Sequence, residues 1–487
     1  MPEPHFRMRP SFIPSRLRSS LAHILLGGSL GLFAQTAPPQ NPAAPPPYLP
    51  LRYDEDYTYL KDPARHTDVW DPVKYVSLSR EGWYLSLGGE ARERYEGFKN
   101  TGFGGGTQDP NGFLLNRYLF HADVHLGPHV RVFTQLQSGF ANGRRGGPRA
   151  TDEDKLEFHQ AFIDFQASSD SKHGITLRLG RQEFEFGSGR LIGASELLNV
   201  RRSFDGARIT ARAGQWTLHS LAAKPAETNP GYFDDSPDPR QTLFGAGAVR
   251  SHPLIPGGSL SLYYIGYMRR LGRFNAGAAE ETRHTIGSRS FGTHAASKLN
   301  VVDYNLEFVH QWGNFGSSNI RAWAAASDVG HVWAQAPLAP RLGLRMDAAS
   351  GDRNQADRKL ESYNPLFPST AYSGKIGLLG PTNIVDVNPV GRLRLHPKVY
   401  LSLEWAWFFR QSLNDGIYGI AVNLFKAGQS SRARYVANQP TALCEFRLNR
   451  HVTLTGILTQ FRAGTFIKET PPSKNVGYAT GYLTYRF

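Results

Sequence analysis

Apolar and polar residues alternate one by one along most of the chain, beginning at Trp83. The first alternating segment is the clearest. Most of its odd-numbered positions are apolar, namely Trp83, Leu85, Leu87, Gly89, Ala91 and Tyr95. Its even-numbered positions include Tyr84, Ser86, Glu90, Arg92, Arg94 and Glu96. Because successive side chains of a β-strand point to opposite sides, this pattern predicts a strand with one apolar and one charged face.

The alternation recurs up to the C-terminus and predicts eighteen strands, an even number as in bacterial outer-membrane barrels. We place them near residues 83–98, 113–127, 129–140, 156–168, 174–186, 203–213, 215–224, 241–251, 258–269, 280–292, 298–312, 318–328, 340–350, 381–395, 398–411, 434–448, 451–464 and 476–487. Very short links alternate with longer polar ones, which matches periplasmic turns and external loops. The predicted fold is all-β, a single transmembrane antiparallel β-barrel of about 18 strands.

A two-layer sandwich or a soluble propeller would also alternate apolar and polar residues. Several segments run beyond ten residues, which suits a tilted strand that spans a bilayer. Trp405 and Trp407 share an apolar face, although a sandwich core would bury such a stripe as well. The last strand ends in Phe487 and has an apolar face that resembles the closing strand of bacterial outer-membrane proteins. The barrel is therefore the favoured architecture.

Composition narrows the class of protein further. A mean hydropathy of -0.40 excludes a bundle of apolar membrane helices. The formal net charge of +14 would suggest a nucleic-acid partner in a soluble protein. Here the basic residues are scattered singly over the alternating segments, which suits a charged pore wall, and we expect no nucleic acid. Cys444 is the only cysteine, so no intramolecular disulfide can form.

The chain divides into three parts. Residues 1–37 combine a basic region, an apolar region and small residues at Ala34 and Ala37, as in a secretory signal peptide. An organelle presequence is the alternative, and the C-terminal strand disfavours it. Residues 38–82 form a Pro-rich linker and a periplasmic lead-in or partial plug. Residues 83–487 form the barrel.

Alternation also predicts which charged residues face the lumen. The arginines are Arg92, Arg94, Arg117, Arg131, Arg178, Arg208, Arg212, Arg283, Arg341, Arg345, Arg392, Arg394, Arg410 and Arg447. The acids include Glu90, Glu96, Asp123, Asp164, Asp303, Glu307, Asp347, Glu404 and Glu445. An eighteen-strand barrel is wide enough to hold water, so charges on its inner wall stay hydrated.

These arginines other than Arg283, together with Asp347, are the candidate substrate pathway. A guanidinium keeps its charge at any relevant pH and matches a carboxylate, so a series of them predicts weak, exchangeable sites for a polyuronate. Any single arginine has an alternative role as an ion pair that stiffens the wall. We favour the pairs Arg341 with Arg345 and Arg392 with Arg394.

Motifs for catalysis are absent from the sequence. From residue 38 onward there is no His-Glu-x-x-His metal motif, no Gly-x-Ser-x-Gly elbow and no phosphate-binding loop. Glu183 and Glu185 are two acids on one strand face, a pattern more typical of wall charges than of a glycosidase. The histidines lack metal-ligand spacing. We expect no enzyme activity, no cofactor and no metal.

Several segments between about Arg52 and Phe487 form a distinctive set. They read RYDEDYTYLKDP with WDPVKYVSL, LGGEARERYE, GRQEFEFGSGRLIG, and RLGLRMDAASGD followed by YNPLFPSTAYSGKIGLLGPTNIVDVNP. Together they resemble the alginate export family of outer-membrane barrels. The resemblance implies a single large barrel with a basic constriction, loops that gate it, and transport of alginate across the outer membrane.

The expected function is an outer-membrane pore of a bacterial cell that passes an anionic, alginate-like polysaccharide through an arginine-rich lumen. One alternative is a general or substrate-selective uptake porin for small anionic solutes. Another is a hydrolase or adhesin that uses the barrel as a platform. The expected partners are the polysaccharide, outer-membrane lipid, and periplasmic components of polymer synthesis or export.

Export through a cleaved signal peptide is directly testable. We expect removal of roughly the first 34 to 37 residues, because the small residues follow the apolar region there. The mature protein should be recovered from an outer-membrane fraction, and N-terminal sequencing checks its first residue. Recovery of the full-length chain in the cytosol would contradict the prediction.

Overall fold

The structure, a computed structural model, describes residues 45–169, 173–251, 257–295, 301–369 and 376–487. Within these residues, eighteen antiparallel strands form one closed barrel. In chain order, β1 to β18 are Trp83–Lys99, Phe113–Leu126, Val130–Asn142, Asp154–Ser169, His173–Gln182, Phe204–Ala213, Trp216–Pro225, Gln241–Ser251, Gly258–Phe274, Gly277–Ala295, Val301–Phe315, Ser318–Val332, Arg341–Ala349, Ile384–His396, Val399–Arg410, Tyr435–Arg447, Val452–Ala463 and Val476–Arg486. The predicted fold class is confirmed, and the predicted signal peptide lies outside the described residues.

The barrel closes between its first and last strands. Strands β1 and β18 pair antiparallel, with Glu90 opposite Arg486 and Lys99 opposite Gly477. Every other barrel strand pairs with its chain neighbours. Closure leaves no free sheet edge inside the membrane, where an unpaired backbone group would find no water.

The two ends of the barrel carry different links. Links 127–129, 214–215 and 397–398 are short and lie at the end where β1 begins and β18 ends. Long links such as 183–203 and 350–383 lie at the opposite end. In bacterial barrels the short turns are periplasmic and the long loops external, which orients this chain.

The wall separates its side chains by chemistry. In β13, Leu342, Leu344 and Met346 are 60%, 40% and 45% exposed on the outside, whereas Arg341 and Arg345 are buried inside. In this strand polar residues face inward and apolar residues outward, the reverse of a soluble fold. This arrangement suits an outer surface in contact with lipid.

Helices are short and lie outside the wall strands. Helices α1 and α2 cover Asp71–Lys74 and Thr465–Glu469, and 3-10 turns cover Arg52–Asp54, Thr58–Lys61, Pro63–Arg65, Thr101–Gly104 and Gly428–Ser430. Minor strands cover Val76–Ser77, Lys359–Leu360, Ile417–Tyr418 and Leu424–Lys426. Among the described residues, no helix is long and apolar enough to cross a membrane.

An apolar core lies within the lumen, towards the external end. Residues from the long links pack there against inward-facing wall residues, and the cluster includes Phe186, Ile192, Tyr263, Phe367 and Phe466. This core explains why β5 ends at Gln182 and not near 186 as the alternation predicts. Phe184 and Phe186 leave the wall and are buried inside the barrel.

The N-terminal lead-in meets the barrel seam at the periplasmic end. Arg52 donates to the carbonyl oxygens of Gly89 and Phe487 at 3.1 and 2.8 Å. Phe487 also exchanges two backbone hydrogen bonds with Gly89, at 3.0 and 3.1 Å. Its ring lies 4.3 Å from that of Trp70, and a Cβ on Gly89 would come within 2.7 Å of it. The C-terminal residue therefore joins the first strand to the lead-in.

Deleting Phe487 should reduce assembled protein sharply without affecting synthesis. The deletion removes two backbone hydrogen bonds at the seam, an acceptor for Arg52 and the ring that packs on Trp70. Heat-modifiable migration of the outer-membrane fraction on gels measures assembly. The control, Phe487→Tyr, keeps the ring and backbone and should assemble normally. Equal assembly of the deletion would show that Phe487 has no role in closure.

Candidate functional site

The link 183–203 crosses the lumen instead of projecting outward, and wall arginines hold one part of it. Arg92 donates to the carbonyl oxygens of Glu196 and Leu198, each at 2.7 Å. Arg117, which is fully buried, donates to the same two carbonyl oxygens at 3.0 Å. Both predicted lumen arginines therefore bind the backbone of this link and are not free to bind a solute.

The Glu196 carboxylate is the centre of a buried charge network. It pairs with Arg117 and Arg201 at 2.8 Å and with Arg486 at 3.2 Å. Glu90 of the first strand pairs with Arg117 and, at 2.8 Å, with Arg486. A single link residue thus connects three arginines, one of them on the closing strand.

The opposite part of this link reaches the far wall. The Ser188 backbone N–H donates to Glu307 at 3.4 Å, and Arg190 lies 3.3 Å from Asp347. Asp347, the one acid among the candidate pathway residues, therefore binds a link arginine. The link spans the lumen from β1 and β2 to β11 and β13.

Link 350–383 pairs with link 183–203 within the lumen. Gly193 donates to the Phe367 carbonyl at 3.0 Å, and Phe367 donates back to the Leu191 carbonyl at 2.9 Å. Ser369 donates to the Gly189 carbonyl at 2.8 Å. The paired residues belong to the segments GRQEFEFGSGRLIG and YNPLFPST. Residues 183–203 and 363–369 of these two links lie within the barrel, narrow the passage, and are called the lumen plug below.

Arg94 and Arg410 also anchor links. Arg94 donates to the Leu197 carbonyl at 2.5 Å and to the Tyr478 hydroxyl at 2.6 Å. Arg410, fully buried, donates to the backbone carbonyls of Leu413, Asp415, Gly428, Ser431 and Ala433. Arginine suits this role because its guanidinium presents five N–H donors.

Other predicted arginines form ion pairs along the wall. Arg131 binds both oxygens of Asp123 at 2.7 Å, and Arg178 binds both oxygens of Asp164 at 2.7 and 2.9 Å. Arg283 pairs with Glu281 at 2.5 Å.

Arg341 and Arg345, one favoured pair, are also bound to acids. Arg341 pairs with Asp303 and, at 2.9 Å, with Asp328. Arg345 lies 3.6 Å from Asp328 and 3.8 Å from Glu404. Their inward orientation follows the alternation, but acids from neighbouring strands, which a single-strand pattern does not reveal, share their charge.

Three predicted arginines lie nearer the periplasmic rim. Arg392 stands opposite Arg341 in the sheet register. Arg394 is exposed, and within the described part of the chain neither Arg392 nor Arg394 has a carboxylate within 4.0 Å. Arg447 pairs with Glu445 at 2.5 Å and lies 4.5 Å from the Tyr400 ring.

A basic cavity of about 270 Å³ lies beside the lumen plug. Its lining includes Arg208 and Arg212 of β6, which share the inward face with Thr210. Arg208 stands opposite Arg178 in the register, but Asp164 binds Arg178 and not Arg208. Among the described residues, neither Arg208 nor Arg212 has a carboxylate within 4.0 Å.

Other elements complete this cavity. Asp54 of the lead-in and His219 of β7 line it, and the His219 Nδ1 lies 3.4 Å from Arg208 Nη2. Arg289 of β10 also lines it and donates to the Gly187 carbonyl of the plug at 2.6 Å. The cavity therefore lies between the lead-in, the plug and the wall, and its charge is mainly positive.

Sequence reasoning missed Arg190, Glu196 and Arg201, which carry the plug contacts. Strand alternation excludes them because they lie in a link. The only feature of the sequence that could have indicated a functional role for them is their charge within a long polar link.

The match to known families decides the identity. The alginate export family model matches residues 83–479, which covers nearly the whole barrel. The chain belongs to the alginate export family. No curated protein sequence matches the chain.

Solved structures similar to this family member are outer-membrane porins. OccK3 (OpdO) of Pseudomonas aeruginosa is 12% identical, with a TM-score of 0.54 over 83% of this chain and 95% of the porin. OpdK of the same species, solved with vanillate, is 10% identical, with a TM-score of 0.57 over 83% and 98%. OccK2 (OpdF), solved with glucuronate, is 9% identical, with a TM-score of 0.55 over 83% and 98%.

At these identities the likeness shows the fold alone. Family and fold together make this member of the alginate export family a bacterial outer-membrane pore, a class that is non-enzymatic in kind.

Replacing Glu196 with Gln should loosen the plug. The change removes the negative charge from three arginine contacts, and a hydrogen bond to a charged group contributes about 1.5–3 kcal/mol, so open events should become roughly tenfold more frequent. Single-channel recording in planar bilayers measures this. Glu445→Gln, which removes an ion-paired lumen acid at the rim, is the control and should leave opening unchanged. An assembled Glu196→Gln protein with wild-type opening would show that these contacts do not close the pore.

Proposed function

We propose that this pore transports an anionic, alginate-like polysaccharide, which binds transiently to the arginines of the basic cavity. The observation that carries the proposal is the pair Arg208 and Arg212, which line the cavity without carboxylate partners among the described residues. Most of the other candidate pathway arginines are bound to acids or to backbone carbonyls. The proposed solute-binding pair in the cavity is therefore Arg208 with Arg212, and Arg392 and Arg394 of β14 are two further lumen arginines without a carboxylate within 4.0 Å among the described residues.

Guanidinium chemistry supports a carboxylate-bearing substrate. A guanidinium forms two parallel hydrogen bonds with a carboxylate, and the attraction is moderate where water reaches the pair. Asp54 lines the same cavity and offsets part of its positive charge. Binding would then be strong enough for entry and weak enough for release, as transport requires.

Family membership and one structural relative support this substrate class. The family is described as alginate export, and alginate is a polymer of uronic acids. OccK2 (OpdF), which shares the barrel fold, was solved with glucuronate, a single uronic acid. Both ligands present a carboxylate on a sugar ring, the group that Arg208 and Arg212 suit.

Uptake of small anionic solutes is the second candidate. The cavity volume of about 270 Å³ is close to the lower end of small-molecule sites, about 300–1,000 Å³. The paired links of the plug restrict the lumen beside it. A polymer would require the plug to move, whereas a monomer would fit the cavity as it stands.

Replacing both Arg208 and Arg212 with Glu should move ion selectivity from anions towards cations. Block by oligouronates should weaken roughly tenfold or more, because each charged hydrogen bond contributes about 1.5–3 kcal/mol. The difference should shrink as salt rises, since the Debye length is about 10 Å at 0.1 M. Reversal potentials in a salt gradient and single-channel block measure both effects.

The matched control is Arg240→Glu with Arg353→Glu. These arginines lie in external links with side chains 61% and 65% exposed, and the double change alters net charge equally. Selectivity should stay near wild type. If the cavity variant assembles yet keeps wild-type selectivity and block, the cavity is not the pathway. Block by glucuronate equal to that by longer oligouronates would favour the small-solute alternative.

A further inference from the structure

The link between β7 and β8, residues 226–240, folds across the external rim and pairs with β4. The upper part of β4 extends beyond the end of β5, which leaves its edge open there. Phe233 donates to the Leu156 carbonyl at 2.9 Å, and Leu156 donates to the Gly231 carbonyl at 3.4 Å. The link is thus docked on the wall by only a few backbone contacts.

Carboxylates converge where this link meets the strand. Glu157 of β4 and Asp234 and Asp235 of the link each place one oxygen within 4.8 Å of the others. The Asp235 backbone N–H donates to Glu157 at 3.0 Å, which fixes the link against the strand. Burial and the neighbouring Glu157 carboxylate raise the pKa of Asp235 to about 6.

Asp154 adds an independent observation. Its side chain is only 1% exposed, and neither carboxylate oxygen has a hydrogen-bond partner among the described residues. Glu157, Asp234 and Asp235 are the charged groups that act on it most strongly, and all three are acids. A buried carboxylate that lacks a hydrogen-bond partner, and whose strongest charged neighbours are three further carboxylates, is costly unless a cation joins them.

Arg181 does not balance this charge. It lies 3.5 Å from Glu157, but its two shortest ion-pair contacts are with Asp205, at 2.9 and 3.1 Å. The negative charge of the four carboxylates is therefore only partly balanced by the Arg181 guanidinium.

We propose that Asp154, Glu157, Asp234 and Asp235 bind a divalent cation, Ca²⁺, that fastens link 226–240 to the barrel rim. Carboxylate oxygens are the ligands that Ca²⁺ prefers, and its flexible coordination by six to eight oxygens tolerates an irregular site. Mg²⁺ demands near-octahedral geometry and retains its water, so it suits such a site less. The site is independent of the basic cavity and of the transported substrate.

Ca²⁺ binding to the full-length barrel in detergent tests the proposal. After removal of metal with EDTA, titration with CaCl₂ in a calorimeter should show one saturable site with a Kd of about 10⁻⁴–10⁻³ M or tighter, the range of extracellular modules. MgCl₂ should bind at least roughly tenfold more weakly. Saturating Ca²⁺ should also slow protease cleavage within link 226–240. Absence of saturable Ca²⁺ binding would overturn the proposal.

Variants separate a cation site from an ordinary acidic cluster. Asp234→Asn with Asp235→Asn should weaken Ca²⁺ binding at least roughly tenfold and remove the protection from protease. In EDTA the same variant should be as resistant as wild type or more so, because repulsion between the carboxylates is reduced. A variant that loses resistance in EDTA, or that binds Ca²⁺ as wild type does, would contradict the proposal.

Asp357→Asn with Glu361→Gln, in the external link 350–383, is the matched control. It removes two acids that pair with Lys359 and Arg353, and it should leave Ca²⁺ binding unchanged. Heat-modifiable migration confirms that each variant is assembled before it is titrated. Equal loss of Ca²⁺ binding in the control would show that Ca²⁺ affinity depends only on the net charge of the protein and not on this cluster.

Discussion

Backbone hydrogen bonding in a medium without water determines the architecture of this protein. Every N–H and C=O group of a strand that faces lipid must pair with a neighbouring strand, so the sheet closes on itself. The pairing of β1 with β18, continued by Phe487 and Gly89, completes the ring. Eighteen strands enclose a wide lumen, and the contents of that lumen then determine what passes.

The lumen is filled by the chain's own links, and arginine is the side chain that holds them. Arg92, Arg117 and Arg410 donate to backbone carbonyls that have left the wall and would otherwise lack partners. Glu196 then balances the charge of several arginines at once. A net charge of +14 is therefore partly structural, and the positive charge available to a solute is confined to a few positions such as Arg208 and Arg212.

The two ends of the barrel carry unpaired charge of opposite sign. Towards the periplasm, the arginines of the described wall outnumber the acids that pair with them. An anionic solute in the lumen would contact the unpaired arginines. At the external rim, Glu157, Asp234 and Asp235 form a cluster in which acids exceed cations. The first arrangement suits transient binding of anions, and the second suits a fixed cation. Both depend on which neighbouring strand supplies the opposite charge.

The sequence by itself determined the number of strands and, within most of each strand, which side chains face inward, because alternation is a local property that lipid outside and water inside impose on every strand. It also predicted that Arg341 and Arg345 face inward. Only the tertiary structure decided that Asp303 and Asp328 bind those two arginines, whereas Arg208 lacks an acid. The links 183–203 and 350–383 do not alternate apolar and polar residues, so alternation could not predict that they enter the lumen. Charge partners in a barrel come from adjacent strands and distant links, and their distances are set by register and closure, which no single segment encodes.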